Sequence, residues 1–257
     1  MKFSLSILSL LAASLAFADN HERQYGGMNL AQANVVQMQL CSLKPRKSMA
    51  DYDKVMNGYI KWSKDNDVQT YVMRLTPLFV TPPGGDGPAF EWIDMLISPF
   101  ETSGDGWNKW LNTESGQRLN AQWIAAADCR VTMNPIFNQF IDAEALSADS
   151  RIVTFNWCTA NEGVTADALI ARHDSMAASR PDDAAIKAWN IIIPGLGNRN
   201  PPGDFAHFLS FSDTKGLMAY QNALANGGGW RQRQDYNASY ATCTGENVYA
   251  GQILNRP

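Results

Sequence analysis

Apolar and polar residues alternate along two stretches of the chain, residues 35–41 (VVQMQLC) and 151–158 (RIVTFNWC), and each stretch ends on a cysteine. A period of two is typical of a β-strand whose two faces meet different surroundings. The polar positions of the alternation are Gln37, Gln39, Thr154 and Asn156. The pattern therefore predicts two strands, each with one apolar and one polar face.

Between these stretches the pattern changes to spacings of three and four, which predict helices. After the first strand, the patterns predict a helix over 48–62, strands over 70–80 and 90–100, a helix over 106–123 and a strand over 127–137. Pro77 lacks an amide donor, so it predicts an edge position or a bulge in the second strand. The order β-α-β-β-α-β is the split βαβ, or ferredoxin-like, arrangement.

The same order starts again at residue 151. It predicts a strand over 151–158, a helix over 164–178, strands over 185–197 and 205–213, a helix over 214–228 and a strand over 240–254. Two ferredoxin-like units, over 35–137 and 151–257, would then be joined by a linker over 138–150.

Landmarks recur at matching places in the two units. Cys41 and Cys158 are separated by the same interval as Pro77 and Pro194, and each proline precedes a Pro-Pro-Gly loop. Phe90 and Phe205 open the two third strands, and Cys129 and Cys243 lie in the last strands. We interpret this recurrence as an internal duplication.

A chain with two such units resembles the dimeric α+β barrel superfamily, here as a tandem fused pseudo-dimer. The resemblance rests on the element order and the repeated landmarks. It implies an α+β fold in which the two sheets pack face to face with helices outside, and a protein that is monomeric. The superfamily includes cofactor-free monooxygenases, small-molecule isomerases and haem-handling enzymes, so the fold does not select a function.

The first 18 residues have the layout of a cleavable secretory signal, with Lys2, an apolar run from Phe3 to Phe17 and small residues at Ala16 and Ala18. A retained membrane anchor is the alternative. Residues 19–34 form a polar leader, and no later stretch is apolar enough to span a membrane. We expect a soluble, exported protein in the periplasm or outside the cell.

Four cysteines in an exported chain usually form disulfides. In the ferredoxin-like order the last strand runs antiparallel beside the first, which predicts the pairs Cys41–Cys129 and Cys158–Cys243. Metal binding by the cysteines is the alternative, but the chain has no C-x-x-C spacing.

The formal net charge is −4 and the basic residues are scattered, which argues against a nucleic-acid partner. The chain has no P-loop, no G-x-S-x-G and no G-x-G-x-x-G. Its three histidines, His21, His173 and His207, are dispersed in sequence. We therefore predict no metal site and no cofactor.

Polar residues on the predicted strands are the candidates for a ligand site. If the helices cover the apolar face of each sheet, the polar face, with Gln37, Gln39, Thr154 and Asn156, lines the barrel interior. In the third strands Trp92 and Asp94 share a face, and we align His207 with Trp92. Arg74 in the second strand pairs with Asp94 or Glu91, or binds an anionic group. Among these residues only His207 titrates near neutral pH, so it is the candidate general base, with a core histidine as the alternative.

Three functions follow from these candidates. The first is an exported protein that binds a small, partly apolar ligand in the barrel or between the repeats. The second is a cofactor-free monooxygenase- or isomerase-like enzyme with His207 as the base. The third is a structural protein whose sheet edges pair with partner chains.

Overall fold

The computed structural model describes residues 28–80, 90–181 and 183–257. The predicted signal segment, the start of the leader and the first Pro-Pro-Gly loop lie outside these ranges. Within them, the first half of the chain contains the elements β1 (Asn34–Leu43), α1 (Met49–Asp65), β2 (Tyr71–Phe79), β3 (Trp92–Ser98), α2 (Phe100–Asn112), α3 (Glu114–Ala126) and β4 (Ala127–Ile141). The second half contains β5 (Ser150–Ala160), α4 (Ala166–Ala178), β6 (Ala188–Ile192), β7 (Phe205–Phe211), α5 (Thr214–Ala225), α6 (Gly229–Ser239) and β8 (Ala241–Asn255).

The eight strands form one closed antiparallel barrel in the order β1-β3-β2-β8-β5-β7-β6-β4. Each half contributes four neighbouring strands, β4-β1-β3-β2 and β8-β5-β7-β6, as the ferredoxin-like order predicts. Two seams close the barrel, one where β2 pairs with β8 and one where β4 pairs with β6. The fold is therefore a mixed α+β barrel, and the sequence duplication itself stays a prediction.

The apolar faces of the strands point into the barrel, which is the reverse of the expected orientation. The interior cluster joins residues of both halves, among them Val36, Met38, Val153 and Phe155. A small barrel is filled by its own side chains, so burial there favours residues without polar atoms. The polar faces of β1 and β5 meet the helices instead, and these can supply hydrogen-bond partners.

Both predicted disulfides are present, Cys41–Cys129 and Cys158–Cys243. In each pair the two cysteines lie opposite one another in an antiparallel ladder, with their Cα atoms 4.1 and 4.0 Å apart. Pro77 lies beside a register shift in the pairing of β2 with β8, in agreement with the predicted bulge.

The predicted helix over 106–123 is two helices. The preceding strand ends at Ser98, and α2 begins directly after Pro99. Thr113 ends α2 and caps α3, because its Oγ1 accepts a hydrogen bond from the Gly116 amide at 3.1 Å. Helix α6 was not expected, since its sequence is polar and follows a run of glycines that is typical of a helix end. Strand β4 extends to Ile141, into the stretch predicted as linker.

Barrel closure removes the basis for a function that depends on sheet edges. Each of the eight described strands has a neighbour on both sides, so none offers a free edge along its full length to another chain. Among the described residues, no helix has the length and apolar character that a membrane crossing requires.

Candidate functional site

A cleft lies in the first half of the molecule, between the outer face of the sheet and helices α1, α2 and α3. Its volume is about 70 Å³. Six of the 17 residues that line it are aromatic, and none of the 17 carries a formal charge. The aromatic residues are Trp62, Trp107, Trp110, Trp123, Tyr52 and Tyr59.

Two glutamine side chains from β1 reach the cleft from the sheet. The Trp107 indole N–H donates to Gln37 Oε1 at 2.9 Å, which fixes the orientation of that amide. The Tyr52 hydroxyl lies 3.4 Å from Gln39 Oε1. Neither amide nitrogen donates a hydrogen bond to another described residue, so both remain donors beside the cleft.

An ion-pair network anchors the sheet side of the cleft. Asp94 is fully buried and accepts hydrogen bonds from the Tyr52 hydroxyl at 2.8 Å and the Trp92 indole N–H at 3.2 Å. Arg74 Nε donates to Asp94 at 2.8 Å, and its guanidinium also pairs with Asp53. Arg74 is thus engaged in structural pairing, one of the two roles that the sequence left open.

Burial, and then the neighbouring Asp94 carboxylate, raises the pKa of Tyr52 well above its usual range. Tyr52 therefore stays protonated and acts as a donor, not as a base. Burial also raises the pKa of Tyr59 to about 12, and its hydroxyl lies 3.1 Å from Thr70 Oγ1.

The aromatic wall of the cleft is held by ring contacts between α1 and α2. The Trp62 and Trp110 rings meet edge to face with centroids 5.3 Å apart, and Tyr59 lies 5.8 Å from Trp110. Such geometry stabilises aromatic pairs beyond the area they bury. The wall is therefore organised before any ligand enters.

His207 lies in the second half, between the sheet and helices α4 and α6. The Trp189 indole N–H donates to His207 Nδ1 at 3.0 Å, so a neutral His207 carries its proton on Nε2. Its Nε2 lies 3.3 Å from the Tyr236 hydroxyl, and that hydroxyl lies 2.8 Å from His173 Nε2. A hydrogen-bond chain therefore runs from Trp189 through His207 and Tyr236 to His173.

Burial lowers the pKa of His207 to about 3 and that of His173 to about 4. Repulsion by His173, when that ring is protonated, and by Arg233 lowers the pKa of His207 further. Both rings are therefore neutral at pH 7.

The strand register corrects the predicted position of His207. Cys41 lies opposite Trp92 and Cys158 lies opposite Phe205, so Phe205 corresponds to Trp92. His207 then corresponds to Asp94, two residues further along the strand. Both His207 and Asp94 face the helices and point away from the barrel interior.

The predicted site residues fall into three groups. Gln37 and Gln39 line the cleft, while Arg74, Trp92 and Asp94 form the network beside it. Thr154, Asn156 and His207 lie in the other half, where the Gly245 amide donates to Asn156 Oδ1 at 2.9 Å. Thr154 is buried, and its hydroxyl has no partner among the described residues.

Three residues that could bind a metal lie close together: Cys158, His207 and Cys243. Both cysteines are used in a disulfide, so they offer no thiolate to a metal. The Trp189 donor at Nδ1 also keeps the proton on Nε2, where a metal would bind. The donors in this group therefore do not suit a metal ion.

The sequence favours a packing face over a ligand platform for Trp107 and Trp110, so it does not predict the cleft that they line. Trp107 and Trp110 stand three residues apart on a helix, a spacing that is equally typical of core packing. Tyr52 and Tyr59 are seven residues apart on α1 and therefore lie on the same face of that helix. This spacing is also typical of core packing. Only the meeting of three helices over Gln37 and Gln39 distinguishes a cleft from a core.

No protein-family model matches the sequence, and no curated protein sequence is significantly similar to it. Solved structures are similar in fold. A candidate monooxygenase from Fusobacterium nucleatum has a TM-score of 0.51 at 9% identity, with 87% of this chain and 93% of that chain covered. A candidate monooxygenase from Lactobacillus acidophilus has a TM-score of 0.52 at 5% identity, with 87% and 100% covered. At these identities the likeness shows the fold alone.

Proposed function

We propose that the protein binds a small, uncharged, ring-bearing ligand in the cleft between the first-half sheet and helices α1 to α3. The observation that carries this proposal is the set of six aromatic side chains around two amide nitrogens without acceptors. Pockets lined by aromatic groups with a few placed polar groups are typical of small-molecule sites.

The lining also defines the chemistry of the ligand. The amide nitrogens of Gln37 and Gln39 favour a ligand that carries an acceptor oxygen, such as a ketone or an ester. No charged side chain lines the cleft, so an ionic ligand would lose its hydration without gaining a counter-charge. The ligand is therefore a neutral ring with a carbonyl group.

This proposal moves the ligand away from the places that the sequence suggested, the barrel and the space between the repeats. The barrel interior is largely filled by side chains. We further propose that the protein is an exported pseudo-dimer in which duplicated units have diverged, so that the first unit holds the cleft. The two disulfides support an oxidising compartment.

Titration of tryptophan fluorescence with matched ring compounds tests the proposal. Indanone, a neutral ring ketone, should quench the signal, whereas indane, without the acceptor, and benzoate, with a charge, should bind at least tenfold more weakly. Gln37→Leu should reduce indanone affinity about three- to tenfold, the range for one lost hydrogen bond. Trp230→Phe is the matched control, because Trp230 is exposed on α6 and outside the cleft lining. Equal binding of all three compounds, or an unchanged Gln37→Leu affinity, would contradict the proposal.

The second candidate function is a cofactor-free monooxygenase- or isomerase-like enzyme with His207 as the base. Two proteins of similar fold are described as candidate monooxygenases, which supports this candidate. In this version the neutral His207 would accept a proton only after its contact with Trp189 opens, because the Trp189 indole N–H occupies the Nδ1 lone pair. Oxygen uptake with a bound ring ligand, lost in His207→Gln but kept in Gln37→Leu, would favour it over simple binding.

A further inference from the structure

A second pocket lies inside one end of the barrel, away from the cleft. Its volume is about 70 Å³, and strands of both halves line it. Met73, Ile97 and Phe208 form an apolar surface, whereas Arg151, Asn138 and Ser210 contribute polar groups. The pocket therefore combines a hydrocarbon-like wall with one formal positive charge.

Arg151 is only 5% exposed, and no carboxylate of the described residues forms an ion pair with it. Its Nη2 donates to the backbone carbonyl of Leu146 at 2.8 Å and to that of Ala148 at 3.2 Å. Its Nε is buried and has no hydrogen-bond partner among the described residues. Carbonyl oxygens satisfy donors but do not neutralise the charge, and a buried unpaired cation is costly.

A second arginine lies near Arg151. Arg256 lies at the same end of the barrel, where it pairs with Asp149 and donates to the carbonyls of Ser147 and Ala148. Asp149 is thus engaged by Arg256, and its ion pair does not extend to Arg151. The unpaired charge of Arg151 would favour an anion in the pocket.

A second polar atom at the pocket has no partner. The Asn138 side-chain oxygen is buried and accepts no hydrogen bond from the described residues. An unmade hydrogen bond at a buried acceptor destabilises the protein, and a ligand with a hydroxyl group would supply that bond. The pocket thus presents one donor with positive charge and one acceptor.

We propose that this pocket binds a small organic carboxylate that also carries a hydroxyl group. The carboxylate accepts from Arg151 Nε, the hydroxyl donates to Asn138 Oδ1, and the carbon chain contacts Met73 and Phe208. Charge-assisted hydrogen bonds of this kind are the strong ones in proteins. This site is independent of the cleft and of the function proposed for it.

Calorimetric titration of the full chain with α-hydroxybutyrate, butyrate, butyramide and inorganic phosphate tests the assignment. We expect butyrate to bind, α-hydroxybutyrate to bind about three- to tenfold more tightly, the range for one added hydrogen bond, and butyramide and phosphate to bind at least tenfold more weakly than butyrate. Asn138→Leu should remove the preference for the hydroxyl compound. Trp107→Phe, in the cleft, should leave all four titrations unchanged.

Arg151→Met should abolish butyrate binding. Because Arg151 also holds the 146–148 carbonyls, this variant is paired with Asn138→Asp, which keeps the arginine. The new carboxylate would occupy the positive pocket, so Asn138→Asp should raise Tm and weaken butyrate binding at least tenfold. Butyramide binding as tightly as butyrate, phosphate competing equally with butyrate, unchanged binding in Asn138→Asp, or no binding of either carboxylate at millimolar concentration would each overturn the proposal.

Discussion

His173 and His207 flank the hydroxyl of Tyr236 inside the second half of the molecule. His173 is buried and His207 is half-buried, and their ring centroids lie 5.2 Å apart. Protonation of either ring places a positive charge in surroundings with little water, close to a second imidazole that can also be protonated. The folded state therefore holds the two histidines neutral, whereas the unfolded chain lets them titrate at a pKa of about 6.5.

This difference predicts an acid-dependent loss of stability. The folded pKa values, about 4 for His173 and about 3 for His207, lie below the unfolded value. The unfolded state therefore binds more protons at intermediate pH. The stabilisation is fully present above about pH 6.5 and is lost progressively as the pH falls toward the folded values. The loss is at most about 1.4 kcal/mol per pH unit for each histidine, and less for His207 because part of its side chain reaches the surface.

Urea unfolding between pH 7.5 and pH 4.5 measures this effect. The free energy of unfolding of the natural chain should fall with decreasing pH below about 6.5. The double variant His173→Gln with His207→Gln should show a flatter dependence across the same interval, even if it is less stable at pH 7.5. Parallel pH profiles for the two proteins would show that carboxylates, and not these histidines, control the acid transition.

Residue chemistry was easier to predict from the sequence than residue position. His207 was selected because histidine is the side chain that titrates near neutral pH. Its position was then misjudged, because Phe90 and Phe205 seemed equivalent strand starts, whereas Trp92 and Phe205 are the residues opposite the disulfide cysteines. A shift of two residues keeps the same face of a strand, so the alternation pattern could not reveal the error.

At the scale of secondary-structure elements, the junction between α2 and α3 shapes the cleft. The two helices meet at Thr113, and Gly116 lies against the backbone of Trp110. A Cβ at Gly116 would lie 2.4 Å from the Trp110 carbonyl oxygen. The close approach requires glycine, and it fixes Trp110 on the wall of the cleft.

We expect Gly116→Ala to destabilise the protein by about 1–3 kcal/mol, because the helices must separate to accept the methyl group. Ligand binding in the cleft should weaken in parallel. Gly104→Ala on α2 is the matched control, since no atom lies within 4 Å of its Cβ position. That change should be neutral or stabilising by up to about 1 kcal/mol, owing to the helix propensity of alanine. Thermal unfolding of both variants measures the difference, and equal Tm values would show that the junction tolerates the methyl group.

Strands were predicted well because alternation records burial on one face of a sheet. Helix boundaries were predicted less well, for a physical reason. Thr113 is the single residue between α2 and α3. The sequence there has neither a proline nor a run of glycines to indicate a helix end. Helix α6 lies mostly on the surface with a polar sequence, and of its residues only Tyr236 is buried. A short hydrophobic signal of that kind does not distinguish a helix from a loop.

At the scale of the whole molecule, two seams turn a pair of four-stranded sheets into one barrel. Side-chain and backbone contacts join the halves, such as the hydrogen bond from Asn255 Nδ2 to the Thr70 carbonyl at 2.7 Å. The sequence predicted both half-sheets and their disulfides. It could not predict which face turned inward, because helices and a barrel interior both bury one face of a strand. The apolar cluster in the interior shows that apolar packing decided the orientation.

The seams predict that the first half is not stable as a monomer. A fragment of residues 28–149 would expose the unpaired edges of β2 and β4, together with the apolar residues that now face the barrel interior. Exposed edges and apolar faces favour association. We expect this fragment to form a dimer or larger species by light scattering, with β2 of one copy beside β4 of the other. Co-expression with residues 150–257 should instead give a one-to-one complex, because the natural seams are then restored. A fragment that is monomeric and retains the circular dichroism of a folded α+β protein would show that each half folds without the seams.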